Sequence, residues 1–303
     1  MNISGVLQLG FVYALLALGV FISFRVMNTP DLTADGSFTL GLVVSTMAAA
    51  GGFPLPAILL GMLAGALAGT VTGLLQTKGG IHPILAGILT MTALYSVNLF
   101  ILGGSPNVTL LGKETIFTLP QKLFPRAGRA GVRLAVTLLF AGAGLALLVW
   151  FFRTSLGLMM RAAGDNEKMV RSSSINTDVI RIAALAISNS FIALSGAVLA
   201  QYQGYADINA GTGIVIIGLA SVILGELILH RGGIGRGLLS AAAGAVLYRF
   251  LVALALHLNV FPAYMFRFLS AFIVAAALGF PRLRELHKQY LIRKGNPVHA
   301  QNN

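Results

Sequence analysis

Long apolar stretches, separated by short polar or basic segments, make up most of the chain. A helix that crosses a bilayer needs ~20 mostly apolar residues. The pattern therefore predicts an all-α integral membrane protein with about nine transmembrane helices. The first stretch is long and lacks a basic segment before it, so we interpret it as a membrane helix and not as a cleaved signal peptide. The predicted helices span residues 3–24, 36–52, 54–75, 81–102, 132–152, 179–201, 213–229, 237–258 and 263–280.

The composition agrees with this class of protein. Apolar residues make up 56% of the sequence and charged residues 10%, whereas about a quarter of the residues in a soluble domain are charged. With a mean hydropathy of +0.85, these values argue against a disordered chain, a nucleic-acid-binding domain and nearly every soluble enzyme. The sequence has no cysteine, which excludes a disulfide, an iron–sulfur cluster and a thiol nucleophile.

Membrane orientation explains the formal net charge of +12. Lys and Arg accumulate on the cytoplasmic side of membrane proteins, and here they concentrate in the loop after the fifth predicted helix and in the C-terminal segment. We therefore predict one membrane domain over residues 1–281, a basic cytoplasmic tail over 282–303 and an N-terminus outside. The basic residues that set this orientation are Arg153, Arg161, Lys168, Arg171 and Arg181 in the loop and Arg282, Arg284, Lys288, Arg293 and Lys294 in the tail.

Polar residues interrupt the apolar pattern at 28–37, where Pro30 and Gly36 disfavour a continuous helix. One interpretation is an ordinary cytoplasmic turn. The other is a discontinuous helix beside a translocation pathway, because irregular backbone at membrane depth is tolerated where it is buried in protein or lines a water-filled cavity. The shortness of the second apolar stretch favours the discontinuous helix. The residues predicted to line the pathway are Asp31, Thr33, Asp35, Tyr95, Asn98 and Asn189.

Other features of the apolar stretches concern packing. Segment 201–213 is interpreted as an external loop, with the wall of a pathway mouth or a docking surface as the alternative. Glycines at four-residue spacing in the third predicted helix predict close approach of another helix. The residues of this stripe are Gly61, Gly65, Gly69 and Gly73, and the polar residues predicted to bond between helices or face a cavity are Ser188, Asn189, Ser190 and Ser195.

Two of the charged residues within the predicted helices, Arg249 and Glu226, need separate comment. Arg249 lies near the middle of the eighth helix, where an arginine costs ~2.5–3.5 kcal/mol on insertion scales, so it should face protein or water. We interpret Arg249 as structural, with direct contact to substrate as the minority alternative. Glu226, near the end of the seventh helix, is a candidate partner, although nothing in the sequence pairs the two residues.

The sequence lacks the motifs of the common enzyme classes. It contains no G-x-x-x-x-G-K-[ST] segment for ATP, no H-E-x-x-H metal site and no G-x-S-x-G nucleophile segment. We therefore expect no catalytic residue, no metal and no cofactor bound to this chain itself. A membrane-embedded enzyme is accordingly disfavoured.

The loop over residues 154–178 is long for a connection between membrane helices. Gly164 interrupts the preceding structure, Asp165 or Asn166 can cap a new helix, and Glu167 suits its first turn. The sequence thus predicts a short cytoplasmic helix over 167–174. Spacing alone leaves open whether this helix contacts a partner or lies bare on the surface.

This loop resembles the coupling loop of permease subunits of ABC importers in the branched-chain amino-acid/ribose permease superfamily. The superfamily pattern reads roughly R-A-x-G-x-N-x-x-x-A-x-x-x-G-I-N, and the chain departs from it at Val170 and Ser174, where small residues are expected. Further matches lie at 31–33, similar to a G-[IV]-D-L-S segment of sugar permeases, and at 211–213 and 232–235. The combination at 31–38 looks closest to a poorly characterised subgroup paired with substrate-binding lipoproteins, some of them linked to aromatic amino acids. The matching loop residues are Arg161, Ala162, Gly164, Asn166, Ile175 and Asn176.

The resemblance implies a mechanism and a set of partners. Two copies of the permease would form a homodimer around the pathway, two cytoplasmic ATPase subunits would bind ATP and Mg²⁺, and an extracytoplasmic solute-binding protein would deliver the substrate. The chain would lie in the bacterial inner membrane, in contact with lipid and with no nucleic acid. The residues expected to couple it to the ATPase are Gly164, Asn166, Glu167, Lys168, Met169, Val170, Arg171 and Ser174.

The resemblance implies a small solute as cargo, and an amino acid, aromatic or otherwise, or a nucleoside-like compound fits the scarcity of charge in the helices. The alternative function is a stand-alone, ion-coupled secondary transporter. In that case transport would continue without an ATPase as long as ion gradients persist.

Overall fold

The computed structural model describes residues 3–123, 128–229 and 232–257, together with 268, 271, 272 and 275. Eleven α-helices, one π-helical segment and two short strands make up this part of the chain. The helices are α1 (Ile3–Val20), continued by the π-helical segment Phe21–Val26, α2 (Thr33–Ala50), α3 (Pro54–Thr77), α4 (Pro83–Ile101), α5 (Thr118–Leu123), α6 (Arg129–Phe151), α7 (Ser155–Asp165), α8 (Glu167–Ser172), α9 (Thr177–Gln203), α10 (Ile214–Ile228) and α11 (Ile234–His257). The strands are β1 (Asn107–Thr109) and β2 (Tyr205–Asp207).

The prediction of a helical membrane protein is confirmed. Within the described residues, six helices are long and apolar enough to cross a bilayer, namely α1 with its π-helical continuation, α3, α4, α6, α9 and α11. The second and seventh predicted spans correspond to α2, whose first turns are polar, and to α10, a shorter apolar helix. Most of the ninth predicted span, 263–280, and the whole tail, 282–303, lie outside the described residues, so the count of nine stays a prediction.

The centre of the bundle is formed by α1 and α9. Most residues of these two helices are buried, whereas α4 and α6 expose most of theirs. Two serines of α9 donate hydrogen bonds to carbonyl oxygens of α1: Ser188 to Gly19 and Ser195 to Val12, each over 2.8 Å. These bonds confirm the predicted interhelical role of the two serines. Ser190 instead bonds to Ile187 of its own helix.

The glycine stripe of α3 lies against α9, as the spacing predicts. A Cβ added at Gly65 would lie 2.5 Å from the carbonyl oxygen of Asn189, and one at Gly73 would lie 2.8 Å from the Cα of Ile182. Such distances leave no room for a side chain. The absence of Cβ atoms along this face therefore allows the two backbones to approach closely.

One small sheet departs from the purely helical expectation. β1 and β2 pair antiparallel, with Asn107 opposite Asp207 and Thr109 opposite Tyr205. The amide of Leu110 also donates to the carbonyl of Gly204 over 2.8 Å. The pairing joins the connection after α4 to the connection after α9, because both emerge at the same end of the bundle. Hydropathy could not reveal two strands this short.

Ion pairs gather at the opposite end of the bundle. Arg25 at the end of the π-helical segment bonds to Glu226 of α10 over 2.6 Å. Lys78, after α3, lies 3.8 Å from Asp178 in the first turn of α9. These contacts place basic residues from several connections at one end, as the orientation prediction requires, and which face of the membrane that end occupies stays a prediction.

Candidate functional site

The chain leaves helical geometry between α1 and α2. Helix α1 first widens into the π-helical segment, a geometry often associated with functional sites, and residues 27–32 then follow without helix. Asn28 adopts a left-handed backbone conformation with φ of 50°, and the amide of Thr29 donates to the carbonyl of Ser23 over 2.9 Å. Thr29, Asp31 and Thr33 are buried. This burial fits the discontinuous-helix interpretation, and it does not fit an ordinary exposed turn.

Asp31 is held inside the protein by two donors. Its Oδ1 accepts a hydrogen bond from the amide of Thr33 over 2.9 Å, and its Oδ2 accepts one from Nδ2 of Asn189 over 2.7 Å. The first bond fixes the turn before α2, and the second joins that turn to the middle of α9. The same Nδ2 also donates to the carbonyl of Leu185. Asp31 thus fastens the helix break to the central helix of the bundle.

A second polar contact joins the break to α3. The hydroxyl groups of Thr33 and Thr72 lie 2.8 Å apart, both fully buried. Sequence analysis did not single out Thr72. It follows Gly69 by three positions and therefore lies on the glycine face of α3, which is the signal that could have found it.

Asp35 performs a different structural task. Its carboxylate accepts hydrogen bonds from the amides of Gly213, over 2.8 Å, and Val215, over 3.0 Å. Gly213 immediately precedes α10 and has no side chain that could cap it. The first amides of a helix lack intrahelical partners, so Asp35 of α2 supplies the cap of α10 from another helix. The favourable helix dipole adds to this interaction.

A cavity of about 390 Å³ lies beside Asp35, between α2, α4 and the segment that leads into α10. Tyr95 is 51% exposed at this cavity, whereas Asn98 is only 1% exposed in its wall. Segment 201–213 contributes to the same wall, which favours its alternative interpretation as part of a pathway. The lining residues are Asp35, Gly36, Thr39, Met91, Thr92, Tyr95, Ser96, Asn98, Ile208 and Thr212.

The six predicted pathway residues therefore separate into two groups. Asp35, Tyr95 and Asn98 line the cavity. Asp31, Thr33 and Asn189 form the buried cluster at the helix break, where the hydrogen bonds are structural. Thr39 and Thr212 join the cavity group and were missed, because loops and helices that are distant in sequence meet there.

The short helix predicted over 167–174 is present as α8, which ends two residues earlier, and a side-chain cap defines its start; its cytoplasmic location stays a prediction. Oδ1 of Asn166 accepts from the amide of Met169 over 3.0 Å, which makes Asn166 the N-cap. Ser174, two residues after the helix, has a φ of 60°. Asn176 then caps α9 by accepting from the amide of Asp178 over 3.0 Å. Local sequence thus dictates where α8 begins and where α9 follows.

Ion pairs hold α8 against α9. Glu167 accepts hydrogen bonds from Arg181 over 2.7 Å and from Arg171 over 3.3 Å. Arg171 also donates to the hydroxyl of Thr177 over 3.1 Å. Glu167 and Arg171 therefore fix the position of the helix on the bundle. If α8 couples the chain to a partner, Glu167 and Arg171 can contribute by holding α8 in place, without contacting that partner.

The eight predicted coupling residues have distinct surroundings. Val170 is 2% exposed and belongs to the hydrophobic core, so it anchors α8 and is covered from any partner. Met169 is 56% exposed, and Lys168 beside it is also exposed. Gly164 lies in α7 against the end of the π-helical segment, where an added Cβ would overlap the carbonyl oxygen of Val26. The loop is thereby in backbone contact with the segment that leads into the helix break.

Arg249 and Glu226 do not pair with each other. The guanidinium carbon of Arg249 lies 4.4 Å from the centre of the Tyr13 ring, a cation–π geometry between α11 and α1. Glu226 instead pairs with Arg25. Both residues thus join helices. Among the residues that the structure describes, no three His, Asp or Glu side chains come together as a metal site would require.

Comparison with known proteins gives a consistent result. A family model described as "Branched-chain amino acid transport system / permease component" matches residues 2–287. The chain is 33% identical to the tyrosine transport system permease protein of Clostridioides difficile (strain R20291), over 91% of this chain and 90% of that protein. It is 30% identical to the ribose import permease protein of Bacillus subtilis (strain 168), over 77% and 68% of the two chains. It is 28% identical to the autoinducer 2 import system permease protein of Photorhabdus luminescens, over 94% and 83%. No solved structure matches the chain.

Proposed function

Because this chain belongs to the family of permease components of branched-chain amino acid transport systems, we propose that it forms the translocation pathway for a solute of the amino-acid class in an ABC importer. An aromatic amino acid is favoured over a nucleoside, since the tyrosine transport permease aligns with nearly the whole chain. Two copies of the chain work with two ATPase subunits, which bind ATP and Mg²⁺, and with a solute-binding protein outside. The chain is a multi-pass protein of the bacterial inner membrane.

The observation that carries this proposal is the cavity beside Asp35. It joins polar residues from two helices and one loop at the surface of the bundle. Thr92, Tyr95 and Ser96 of α4 face outward at its opening. Polar side chains facing lipid are unfavourable, so this face is better suited to a second copy of the chain and an enclosed, hydrated pathway.

Coupling to the ATPase is assigned to α8. Among its exposed residues, Lys168 offers a positive charge and Met169 an apolar contact to a cytoplasmic groove. Glu167, Arg171 and Val170 keep the helix in place on the bundle. Movement of α8 would reach the helix break through the contact between Gly164 and Val26.

The composition of the complex tests the proposal. The tagged full-length chain is purified from native membranes in mild detergent, and the proteins that accompany it are identified by mass spectrometry. We expect a P-loop ATPase in equal amount, with a solute-binding protein whose bound ligand identifies the cargo. If the chain is recovered alone from several mild detergents, the importer assignment is contradicted.

Met169→Asp tests the coupling surface. A carboxylate at an apolar contact with the ATPase should lower both solute uptake and transport-stimulated ATP hydrolysis about tenfold, a loss of ~1.4 kcal/mol of binding. Leu111→Asp is the matched control, because Leu111 is 90% exposed at the other end of the bundle. Equal activity of the Met169 variant and the control would show that α8 does not carry the contact.

The burial of Asp31 supports the alternative function, an ion-coupled transporter. A buried carboxylate at a discontinuous helix is an arrangement that secondary transporters use to bind ions. The two functions are distinguished by uptake with a catalytically inactive ATPase subunit while ion gradients are maintained. An ABC importer loses uptake under these conditions, whereas an ion-coupled transporter retains it.

A further inference from the structure

We propose that the cavity beside Asp35 binds the ammonium group of the transported solute, with Asp35 and Asn98 as hydrogen-bond acceptors. The substrate class is then a primary amine such as an amino acid, and not a neutral sugar or a simple carboxylic acid. This inference rests on the proposed importer function and assigns selectivity to the permease itself. Three properties of the cavity support it, namely its charge, its free acceptor positions and its ring surface.

The charge of the cavity wall has one sign. Among the described residues, ten line the cavity, and Asp35 is the only charged one. A lone carboxylate in a site with low-dielectric walls attracts cations and repels anions more strongly than it would in water. A solute with an ammonium group is therefore favoured over one whose only charge is a carboxylate.

Asp35 retains acceptor capacity after it has capped α10. Each carboxylate oxygen has two lone pairs. Oδ2 uses one for the amide of Gly213 and Oδ1 uses one for the amide of Val215. The amide of Ile214 also interacts with the carboxylate, which leaves one of the four positions for an N–H donor from the cavity. Charge-assisted hydrogen bonds of this kind are about twice as strong as neutral ones.

Asn98 supplies a second acceptor. Its Nδ2 makes a long hydrogen bond of 3.5 Å to the carbonyl of Gly36. Its Oδ1 is buried and, within the described part of the chain, has no hydrogen-bond partner. A buried acceptor without a donor costs free energy, and one N–H of an ammonium group would satisfy it. Asp35 and Asn98 thus both line the same cavity.

The remaining wall can accept a ring. Tyr95 presents its exposed side chain at the opening, and Met91 precedes it by one helical turn. Aromatic rings stack favourably on one another, and methionine sulfur makes favourable contacts with them. A volume of about 390 Å³ is at the lower end of that of small-molecule sites, which suits an amino acid.

Direct binding to the full-length chain in lipid nanodiscs tests the inference. The probes are tyrosine, tyramine, which keeps the amine and lacks the carboxylate, 3-(4-hydroxyphenyl)propionate, which keeps the carboxylate and lacks the amine, and ribose. Saturation-transfer NMR should detect tyrosine and tyramine, with the desamino acid and ribose bound at least tenfold more weakly. Equal binding of tyramine and the desamino acid overturns the inference, and so does the absence of binding by both amines.

Two pairs of variants assign the contacts. Asp35→Asn removes the charge and keeps only one of the two oxygens that accept from the α10 amides, so tyramine should bind about tenfold more weakly, and the midpoint of thermal unfolding reports the partial loss of the cap separately. Asp207→Asn, outside the cavity, should leave binding unchanged. Asn98→Asp adds a carboxylate at nearly constant shape and should strengthen tyramine binding, while the exposed control Asn107→Asp should not. If Asp35→Asn and Asn98→Asp both bind tyramine as the unaltered chain does, the cavity is not the amine site.

The ammonium site and the importer function can be contradicted independently of each other. ATP-dependent uptake of any solute by the assembled importer, together with amine-independent binding to the chain, contradicts the ammonium site and leaves the importer function standing. Absence of an associated ATPase contradicts the importer function, whatever the probes show.

Discussion

At the residue scale, polar side chains inside the bundle have specific partners. Ser188 and Ser195 bond to α1, and Asn189 bonds to Asp31. Such bonds matter because a polar group without a protein partner in a membrane interior cannot form a hydrogen bond to water instead. Asp35 likewise uses its carboxylate to cap a neighbouring helix. The polar residues therefore locate the contacts on which the arrangement of helices depends.

Asn189→Leu should destabilise the protein by about 2–4 kcal/mol, because Oδ2 of Asp31 loses its donor while remaining buried. The midpoint of thermal unfolding in detergent should fall by roughly 5–10 °C. Asp31→Asn is the comparison variant and should have a smaller effect. Rotation of the Asn189 amide would turn its Oδ1 towards the new side-chain amide and so keep one hydrogen bond between the two residues, at the expense of the bond to the carbonyl of Leu185. An unchanged midpoint for Asn189→Leu would contradict the structural role of this pair.

At the element scale, close backbone contacts decide how helices move together. Gly65 and Gly69 allow α3 to lie directly on α9. Gly164 allows α7 to lie directly on the end of the π-helical segment. Contacts between backbones cannot be relieved by a change of side-chain rotamer, so we expect a displacement of one element to move the other. The segment that reaches Asp31 is thus mechanically joined to the loop that carries α8.

Gly164→Ala should uncouple ATP hydrolysis from transport. The added Cβ overlaps the carbonyl oxygen of Val26 and forces α7 away from the π-helical segment. We expect solute uptake by the reconstituted importer to fall at least tenfold, while ATP hydrolysis and the recovery of assembled complex persist. Gly142→Ala is the control, because a Cβ added in α6 meets no atom within 4 Å among the described residues. Normal uptake by the Gly164 variant would rule out this contact as the route of coupling.

At the scale of the whole molecule, the outer helices differ in the surfaces they present. Helix α6 exposes large apolar residues such as Leu139 and Trp150, as expected for contact with lipid. Helix α4 exposes Thr92, Tyr95 and Ser96 at the opening of the cavity. Although α4 also exposes apolar residues such as Leu89 and Phe100, this polar patch is the part of its surface best suited to face a second copy across the pathway.

Cross-linking tests this arrangement cleanly because the chain has no cysteine of its own. Ser96→Cys should form a disulfide between two copies in oxidised membranes, detected as a dimer on a non-reducing gel. Leu139→Cys, on the lipid-facing side of α6, should remain monomeric. A dimer formed through Leu139→Cys and absent for Ser96→Cys would place the partner copy on the other face.

The sequence by itself determined the protein class, the positions of most helices and the features that local rules govern. Apolar length identifies membrane helices, because a bilayer imposes the same requirement at every crossing. Asn166 caps the helix that follows it, and the glycine spacing of α3 places one face against a neighbour, since both effects act within a few residues.

Only the tertiary structure decided which polar residues meet. It separated Asp31 from the cavity, paired Glu226 with Arg25 and not with Arg249, turned Val170 into the core and joined β1 to β2. Apart from the burial of Val170, each of these contacts joins segments distant in sequence. At Val170, the packing of the short helix α8 against α9 decided which side of α8 is buried. Hydropathy records whether a residue suits a membrane, but it carries no information about which helix lies beside it.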